Sequence, residues 1–406
     1  MKNIAFNIVF LSILICYSNS VIAEINNEEF TILLAGDAII TQPWSNQKEP
    51  GFLKLVDKIR KSDASIVNLE VVVNDYKGYP QAQSGGIHLA ARAVIADELA
   101  WAGFDLVSAA NNHSFDYGSI GALETIHNIE NAGMLIAGIG KDLQTARSPA
   151  VLKNSKGIVS LVSVTSSFLP YGTASRSRYD IQGRPGPNYC RVVKKGSEYS
   201  VKSEDSEGNL EVVRETSASS DYVILSIHWH HSDIGWLKDF AHKAIDSGAD
   251  IVFCHGPHKI QPIEIYNNKP IFYGLGDFVF QNEQLEKLPV EQYDMYGLDD
   301  NVEPEDVIKV RYQNYTKGFP TQKEVWEGFL AEVTFNGDQL SKIHLVPIDL
   351  RFGEPVPPRG SPIYADRDLG KEIVRQSAEI SKSYGTVIEY LPELNCGSIN
   401  LDADHK

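Results

Sequence analysis

His255 and His258 stand three residues apart across Gly256-Pro257, directly after the apolar run Ile251-Val-Phe-Cys254. The intervening Gly-Pro keeps them off one helix face, yet a loop can curl to bring both imidazoles toward a common point. Such a pair is metal-ligand chemistry when partners come from elsewhere and a polar loop when they do not. Partners are available. Asp37 follows the apolar run Thr31 to Ala35, Asn68 and Glu70 follow Ala64 to Val67, Asn112 and His113 follow Phe104 to Ala110, and His228 closes the run from Tyr222. Two carboxylates, an amide oxygen and several imidazoles make a mixed nitrogen and oxygen set without a thiolate. That set suits Mn, Fe or Zn in an open catalytic site better than a closed structural zinc or a calcium cage. With about six ligands, the economical arrangement is two divalent ions roughly 3.5–4 Å apart sharing one carboxylate, for which Glu70 is the candidate. Cys254 adjoins His255 but points the other way if its strand continues, and stays outside the set.

The elements that must position these residues follow a βαβ rhythm. From Thr31, short β-rich runs alternate with segments of helical period, which predicts an α/β fold on a mainly parallel, buried sheet. Helical spacing groups Phe52, Leu55, Val56 and Ile59 on one face, and Leu237, Phe240, Ala241, Ala244 and Ile245 on another, with Gly248 as the stop. Further strands are predicted at Met134 to Ala137, Ile158 to Val164, Gly328 to Phe335 and Lys342 to Val346, and a helix near Asp368 to Tyr384. Five predicted strands each carry a polar residue at the carboxyl end, where open α/β sheets bind ligands. Side chains more than two hundred positions apart are therefore expected to converge.

Singly, each has a structural role open to it. Asp37 after Gly36 fits a turn or an N-cap, Glu70 fits an ion pair, and Asn111-Asn112 fits a turn with left-handed residues. His228, His230 and His231 around Trp229 fit a half-buried strand end, and alternation keeps the three from facing one way. Taken jointly, the pattern points to a shared metal site.

The first 23 residues have the layout of a secretory signal, with Lys2, an apolar run from Ile4 to Cys16, and Val21-Ile22-Ala23 before Glu24. A cleaved signal and a periplasmic or secreted mature chain are expected. The run is short for a bilayer span, and Cys16 lacks the preceding small residues of a lipoprotein site. Residues 24–350 read as one domain with insertions near 165–220 and 281–325, and residues 351–406 as an extension packed on it. The first insertion loses periodicity and gains Gly, Pro, Ser and charge, a loop or hairpin excursion carrying Arg176, Arg178, Arg184 and Arg191. The second carries an acidic run from Asp299 to Asp306, and the last thirty or so residues read as peripheral. Cys190, Cys254 and Cys396 are too few and scattered for a disulfide framework. A net charge of −16 opposes nucleic acid or an anionic membrane surface as partner, so an anionic substrate needs positive charge supplied locally.

The segments Gly36-Asp37, Asn68-Leu69-Glu70, Asn111-Asn112-His113-Ser114-Phe115-Asp116-Tyr117-Gly118, His228-Trp229, His255-Gly256-Pro257-His258-Lys259-Ile260-Gln261-Pro262 and Tyr273-Gly274-Leu275-Gly276-Asp277-Phe278-Val279-Phe280 occur in that order. Over roughly Thr31 to Phe280 they resemble the bacterial CapA (PgsA) capsule-synthesis family. That family looks like a branch of the calcineurin-like metallophosphoesterases. The resemblance implies a four-layer α/β/β/α sandwich, a two-metal centre, and a part in making, exporting or anchoring poly-γ-glutamate. Carried over residue by residue, it implies Asp37 and His258 on one metal, Glu70 bridging, and Asn112, His228 and His255 on the other. His113 would be the general acid that protonates the leaving group.

Two departures stand out. Ile39 occupies the position where the phosphoesterases place a histidine, which leaves the first metal one ligand short. His230 and Asp277 stand where the family more often has Gly and Asn, as additional or substitute polar groups. Gly183-Arg184-Pro185-Gly186-Pro187-Asn188 is similar to a family loop near the site, where Arg184 would clamp a carboxylate or phosphate; a solvated loop arginine is the alternative. Asn68, Arg184 and His230 are the candidate substrate contacts. The implied activity is metal-dependent hydrolysis of an ester or amide of a cell-surface polymer. The substrate would be an anionic polymer or a small molecule, and a capsule-synthesis membrane complex is the candidate partner. The alternative is a non-enzymatic component that binds or exports poly-γ-glutamate and uses the same site as a dock.

Overall fold

Two β-sheets organise the chain in this computed structural model, which describes residues 29–196, 198–230, 234–299 and 301–401. The larger runs, edge to edge, Ile388–Leu391, Cys396–Ile399, Gln339–Asp349, Glu327–Asn336, Glu29–Ile39, Ala64–Leu69, Leu106–Ser108 and Leu135–Ala137. The last four of these are parallel to one another. Asp277–Phe280 pairs in parallel with the end of Glu29–Ile39. The smaller runs Ile263–Tyr266, Lys269–Phe272, Ile251–His255, Tyr222–His228, Ile158–Thr165 and Ala150–Lys153. Its four middle strands are parallel. Strands covered on both faces read as continuous apolar runs, and Ala64–Leu69 and Tyr222–His228 are buried at every position.

Alternation along each strand divides the core. Ile32, Leu34, Ile66 and Leu106 of the larger sheet meet Leu161, Ile224, Phe253 and Phe272 of the smaller in one inner cluster. On the opposite face of the larger sheet, Leu33, Val67 and Val107 meet Phe52, Leu55 and Ile59 of helix Pro50–Lys61 and Ile95 and Leu99 of helix Val94–Ala102. On the opposite face of the smaller, Val162, Leu225 and Val252 meet Leu210 and Val213 of helix Ser203–Ser217 and Leu237 and Phe240 of helix Gly235–Asp246. Each such side chain contributes about 1.5–3 kcal/mol by leaving water. Packing on both faces thus holds the carboxyl ends of the parallel strands in fixed relative positions.

Several boundaries differ from those expected. The first strand does not stop at Ala35 but continues through Asp37 to Ile39. It does so by changing partners: Glu327–Asn336 pairs with it as far as Ala35, and Asp277–Phe280 takes over from Asp37. Gly36 makes the exchange possible, because a Cβ there would lie 1.9 Å from the Gly276 carbonyl oxygen.

The first insertion contains the expected hairpin, Val192–Lys195 with Glu198–Val201, and then a 15-residue helix, Ser203–Ser217, that periodicity does not reveal. Its buried face includes Asp205, Asn209 and Thr216 beside Leu210 and Val213. Arg191 satisfies Asp205 at 2.7 Å and Asn188 satisfies Asn209 at 2.8 Å, so a half-polar stripe is buried without an apolar period.

The tail is not peripheral. Ile388–Leu391 and Cys396–Ile399 extend the larger sheet, and Ile373 and Val374 of helix Arg367–Ser381 enter the inner cluster. The second insertion folds as helices Val290–Tyr296 and Pro304–Arg311, followed by short turns at Phe319–Thr321 and Lys323–Trp326. Cys190, Cys254 and Cys396 are free and buried. The segment expected to be a secretory leader lies outside the described residues; among these no helix is long and apolar enough to cross a membrane.

Candidate metal centre

Register brings the polar strand ends together. Asp37 is flanked by Asn68 on one neighbouring strand and by Asp277 on the other, and His228 lies level with His255. The Gly256 N–H donates to Asp37 Oδ2 at 2.9 Å, which ties the two sheets at their carboxyl ends. Gly256 is obligatory here, with φ +115° and the Trp229 carbonyl oxygen 2.3 Å from where a Cβ would sit. His258 adopts φ +55°, a left-handed conformation uncommon for a residue with a side chain and costing about 1–3 kcal/mol. That turn returns its ring to the centre, where Nδ1 lies 2.9 Å from Asp277 Oδ1.

The ligand atoms fall into overlapping groups. Asp37, His228 and His255 offer atoms within 4.8 Å of one another; so do Asp37, His258 and Asp277, and so do Glu70, His230 and His258. Glu70 lies between them, its Oε1 3.7 Å from His228 Nε2 and 3.9 Å from His258 Nε2. His228 Nδ1 is 2.9 Å from His255 Nδ1, and His255 Nε2 is held by Ser226 Oγ at 2.6 Å. Ser226 in turn meets Ser108 across the sheets at 2.8 Å, a hydroxyl chain that fixes which nitrogen of His255 faces the centre.

Among the described residues, both oxygens of the fully buried Glu70 lack a hydrogen-bond partner, as do Asp277 Oδ2 and Asn112 Oδ1. Buried carboxylates left without hydrogen bonds are expensive, and a divalent cation is the group that satisfies several at once. The donor set therefore fits metal binding.

Charge divides unevenly across the centre. Burial, with Asp37 beside it, pushes Glu70 well above the ordinary carboxylate range, and burial also raises Asp37. Asp277 is pushed up to about 7 by burial, against the pull of His258. Burial works against the His258 imidazolium, but Asp277, Glu70 and Asp37 outweigh it and raise the group to about 10. His228 and His255 go well below the usual histidine value, through burial first and then neighbouring imidazoles.

Asp37, Glu70, His228, His255 and His258 thus come together. Asn112 packs against Gly85, where a Cβ would lie 2.7 Å from its Nδ2. His113 Nδ1 is 2.8 Å from Asp116 Oδ2, which also accepts the Leu89 N–H at 2.8 Å. His230 is exposed, its Nε2 3.0 Å from His228 Nε2. Asn68, expected at the substrate, is completely enclosed and donates to Asp37 Oδ1 at 2.6 Å. Arg184 donates twice to the Thr173 carbonyl, at 3.0 and 2.8 Å, so its fork is engaged within its own loop. Asp277 has a larger part than its sequence position suggests. Gly276-Asp277 leading into Phe278-Val279-Phe280 repeats the Gly36-Asp37 pattern, and that repetition is the signal that finds it. The ring of Phe319, from the second insertion, packs edge-on against His258 with centroids 5.5 Å apart, a contact with no sequence signature.

Fold and site together define an α/β protein with a candidate metal centre where its two sheets meet. The family model described as Bacterial capsule synthesis protein PGA_cap matches residues 31–282, and the chain belongs to that family. Uncharacterized protein y4sH of Sinorhizobium fredii (strain NBRC 101917 / NGR234) is 28% identical over 421 residues, spanning 88% of this chain and 91% of that protein. PGA biosynthesis protein CapA of Bacillus subtilis (strain 168) is 28% identical over 225 residues, 54% of each chain. A crystal structure of a hypothetical protein from Thermus thermophilus covers 79% of this chain and 99% of its own at 15% identity, with a TM-score of 0.41 too low to bear on the fold.

Proposed function

We propose that the chain is a metal-dependent hydrolase of the metallophosphoesterase type that acts at the cell surface on an ester or amide of an anionic polymer. Poly-γ-glutamate is the polymer suggested by the family and by the name of the Bacillus subtilis relative. Two sheets sharing an inner core, with helices on both outer faces, support the four-layer reading. The observation that carries the proposal is Glu70, fully buried between His228 and His258 with neither oxygen hydrogen-bonded among the described residues.

In this reading Asp37, His258 and Asp277 would hold one divalent ion (Mn, Fe or Zn) and Asn112, His228 and His255 the other, with Glu70 available to both. Asp277 takes the place left empty by Ile39. Bound there, such a pair supplies an acidified water and a Lewis acid for a developing oxyanion. The chain's own residues do the rest. Asp116 takes His113 Nδ1, which leaves Nε2 to carry the proton for the leaving group. Asn68 orients Asp37, Ser226 orients His255, and the exposed His230 borders the substrate side.

The test is metal content after loading with Mn²⁺, followed by turnover of poly-γ-glutamate and bis(p-nitrophenyl) phosphate with and without EDTA. Two ions per chain and chelator-sensitive turnover are expected. Turnover that survives chelation overturns the proposal. Binding of poly-γ-glutamate without turnover of either compound moves the site to the docking role.

A further inference from the structure

We infer that Arg311, from the inserted segment, is the substrate-recognition residue of this centre and receives an oxyanion, carboxylate or phosphate, beside the metal ligands. The inference rests on the proposed function in taking the metal centre as the reacting site.

A chain of net charge −16 must supply positive charge locally to hold an anionic substrate. Arg184, the expected clamp, is engaged by the Thr173 carbonyl. Arg191 and Arg359 are paired with Asp205 and Glu283. Arg311 has no carboxylate partner among the described residues. It is half-buried beside the Tyr312 ring, 5.6 Å from its centroid; Nη1 donates to the Tyr296 hydroxyl at 3.2 Å, and Nε is buried with no acceptor among the described residues. The acids of its own helix, Glu305 and Asp306, face Lys309 instead. A guanidinium withdrawn from water with donors left over is poised for a planar or tetrahedral oxyanion.

Two glycines locate it relative to the centre. A Cβ on Gly85 would lie 2.7 Å from Asn112 Nδ2, and one on the next residue, Gly86, would lie 3.7 Å from Arg311 Nη2. Consecutive Cα atoms are about 3.8 Å apart, so one peptide unit separates the surface under Asn112 from the surface under the guanidinium. Both glycines are exposed, so no side chain of theirs covers this stretch of backbone. The same inserted segment touches the centre again where Phe319 meets His258. It therefore borders the site at two places, one apolar and one cationic. An acidic polymer with a free carboxylate beside each backbone amide has the matching chemistry: the amide at the metals and the carboxylate at Arg311.

The experiment is isothermal titration of the Mn²⁺-loaded full chain with a γ-linked glutamate tetramer, the same tetramer with its carboxylates capped as amides, and phenyl phosphate. Charge-assisted hydrogen bonds predict that the free tetramer binds about tenfold or more tighter than the capped one. Arg311→Gln should abolish that preference while keeping the wild-type metal content, and Arg311→Lys should keep part of it. Gly86→Asp, at a position without left-handed backbone, places a competing carboxylate beside the guanidinium and should abolish it too. Circular dichroism and Tm should remain those of the wild type in all three. If phenyl phosphate binds more tightly than the tetramer and Arg311→Gln removes that binding, the site stands with phosphate as its oxyanion. A wild type indifferent to capping and to phenyl phosphate, or an Arg311→Gln variant that keeps its preference, overturns the inference. Because the readout is binding, its failure is distinct from failure of the hydrolase reading, which is judged by metal content and turnover.

Discussion

The two sides of the centre share one loop and have opposite electrostatics. Around His258, the carboxylates of Asp37, Asp277 and Glu70 keep the imidazole charged, raised to about 10 against the opposing effect of burial. Around His255, burial and neighbouring imidazoles keep His255 and His228 neutral. A ligating imidazole must be neutral. The His255 side is therefore ready to bind a cation, whereas the His258 side must first release a proton. Occupancy of the two sides should respond differently to pH and to substitution.

The largest effect belongs to the residue common to both sides. Glu70→Ala should leave less than one ion per chain by elemental analysis and abolish chelator-sensitive turnover, whereas His255→Ala should lose one ion and spare the His258 side. Equal losses in the two variants would break the division. His113→Ala should lower turnover about 10²–10⁴-fold with metal content unchanged. Turnover at the wild-type rate would remove His113 from the chemistry. Asp277→Asn, which removes the charge of a proposed ligand, should weaken metal binding on the His258 side alone, by more than the ~10–100-fold that loss of an outer-sphere partner costs. A calorimetric titration in which both sites weaken together would contradict it.

The smallest effect is on stability. A proton held by native His258 and not by the unfolded chain stabilises the fold below the ordinary value of 6.5, and that stabilisation is lost as pH rises through about 10. The Tm of metal-free protein should fall across that window, while Mn²⁺-saturated protein should stay level. A metal-free Tm flat over the same range would mean that His258 is not held charged.

Much of the arrangement is legible because parallel strands buried on both faces write long apolar runs that end abruptly in polar residues. Glu70 and His228 follow from that rule alone. Features whose logic is not periodic escape it. Helix Ser203–Ser217 buries Asp205 and Asn209 against specific partners, so no apolar stripe marks it. The strands Ile388–Leu391 and Cys396–Ile399 are short and lie at a sheet edge, where composition is weakly constrained. Asn68 reads as a ligand contact because it ends a strand, yet alternation turns it toward Asp37 and away from solvent. Asp277 and Phe319 reach the centre through tertiary pairing, Asp277 by standing beside Asp37 and Phe319 by packing on His258; the repeated Gly-Asp pair signals the first, and no local spacing encodes the second.

The change of partners at Gly36 also governs when the centre can exist during folding. Glu29–Ile39 pairs early in sequence with Ala64–Leu69, Asp37 and Ala38 included, but its other edge waits for Glu327–Asn336 before Gly36 and for Asp277–Phe280 after it. Contacts of such long sequence separation close slowly. Asp37 therefore gains its second flank, Asp277 and the Gly256 N–H, only after most of the chain has collapsed around it, and a cation would be acquired by a nearly complete fold rather than act as its nucleus.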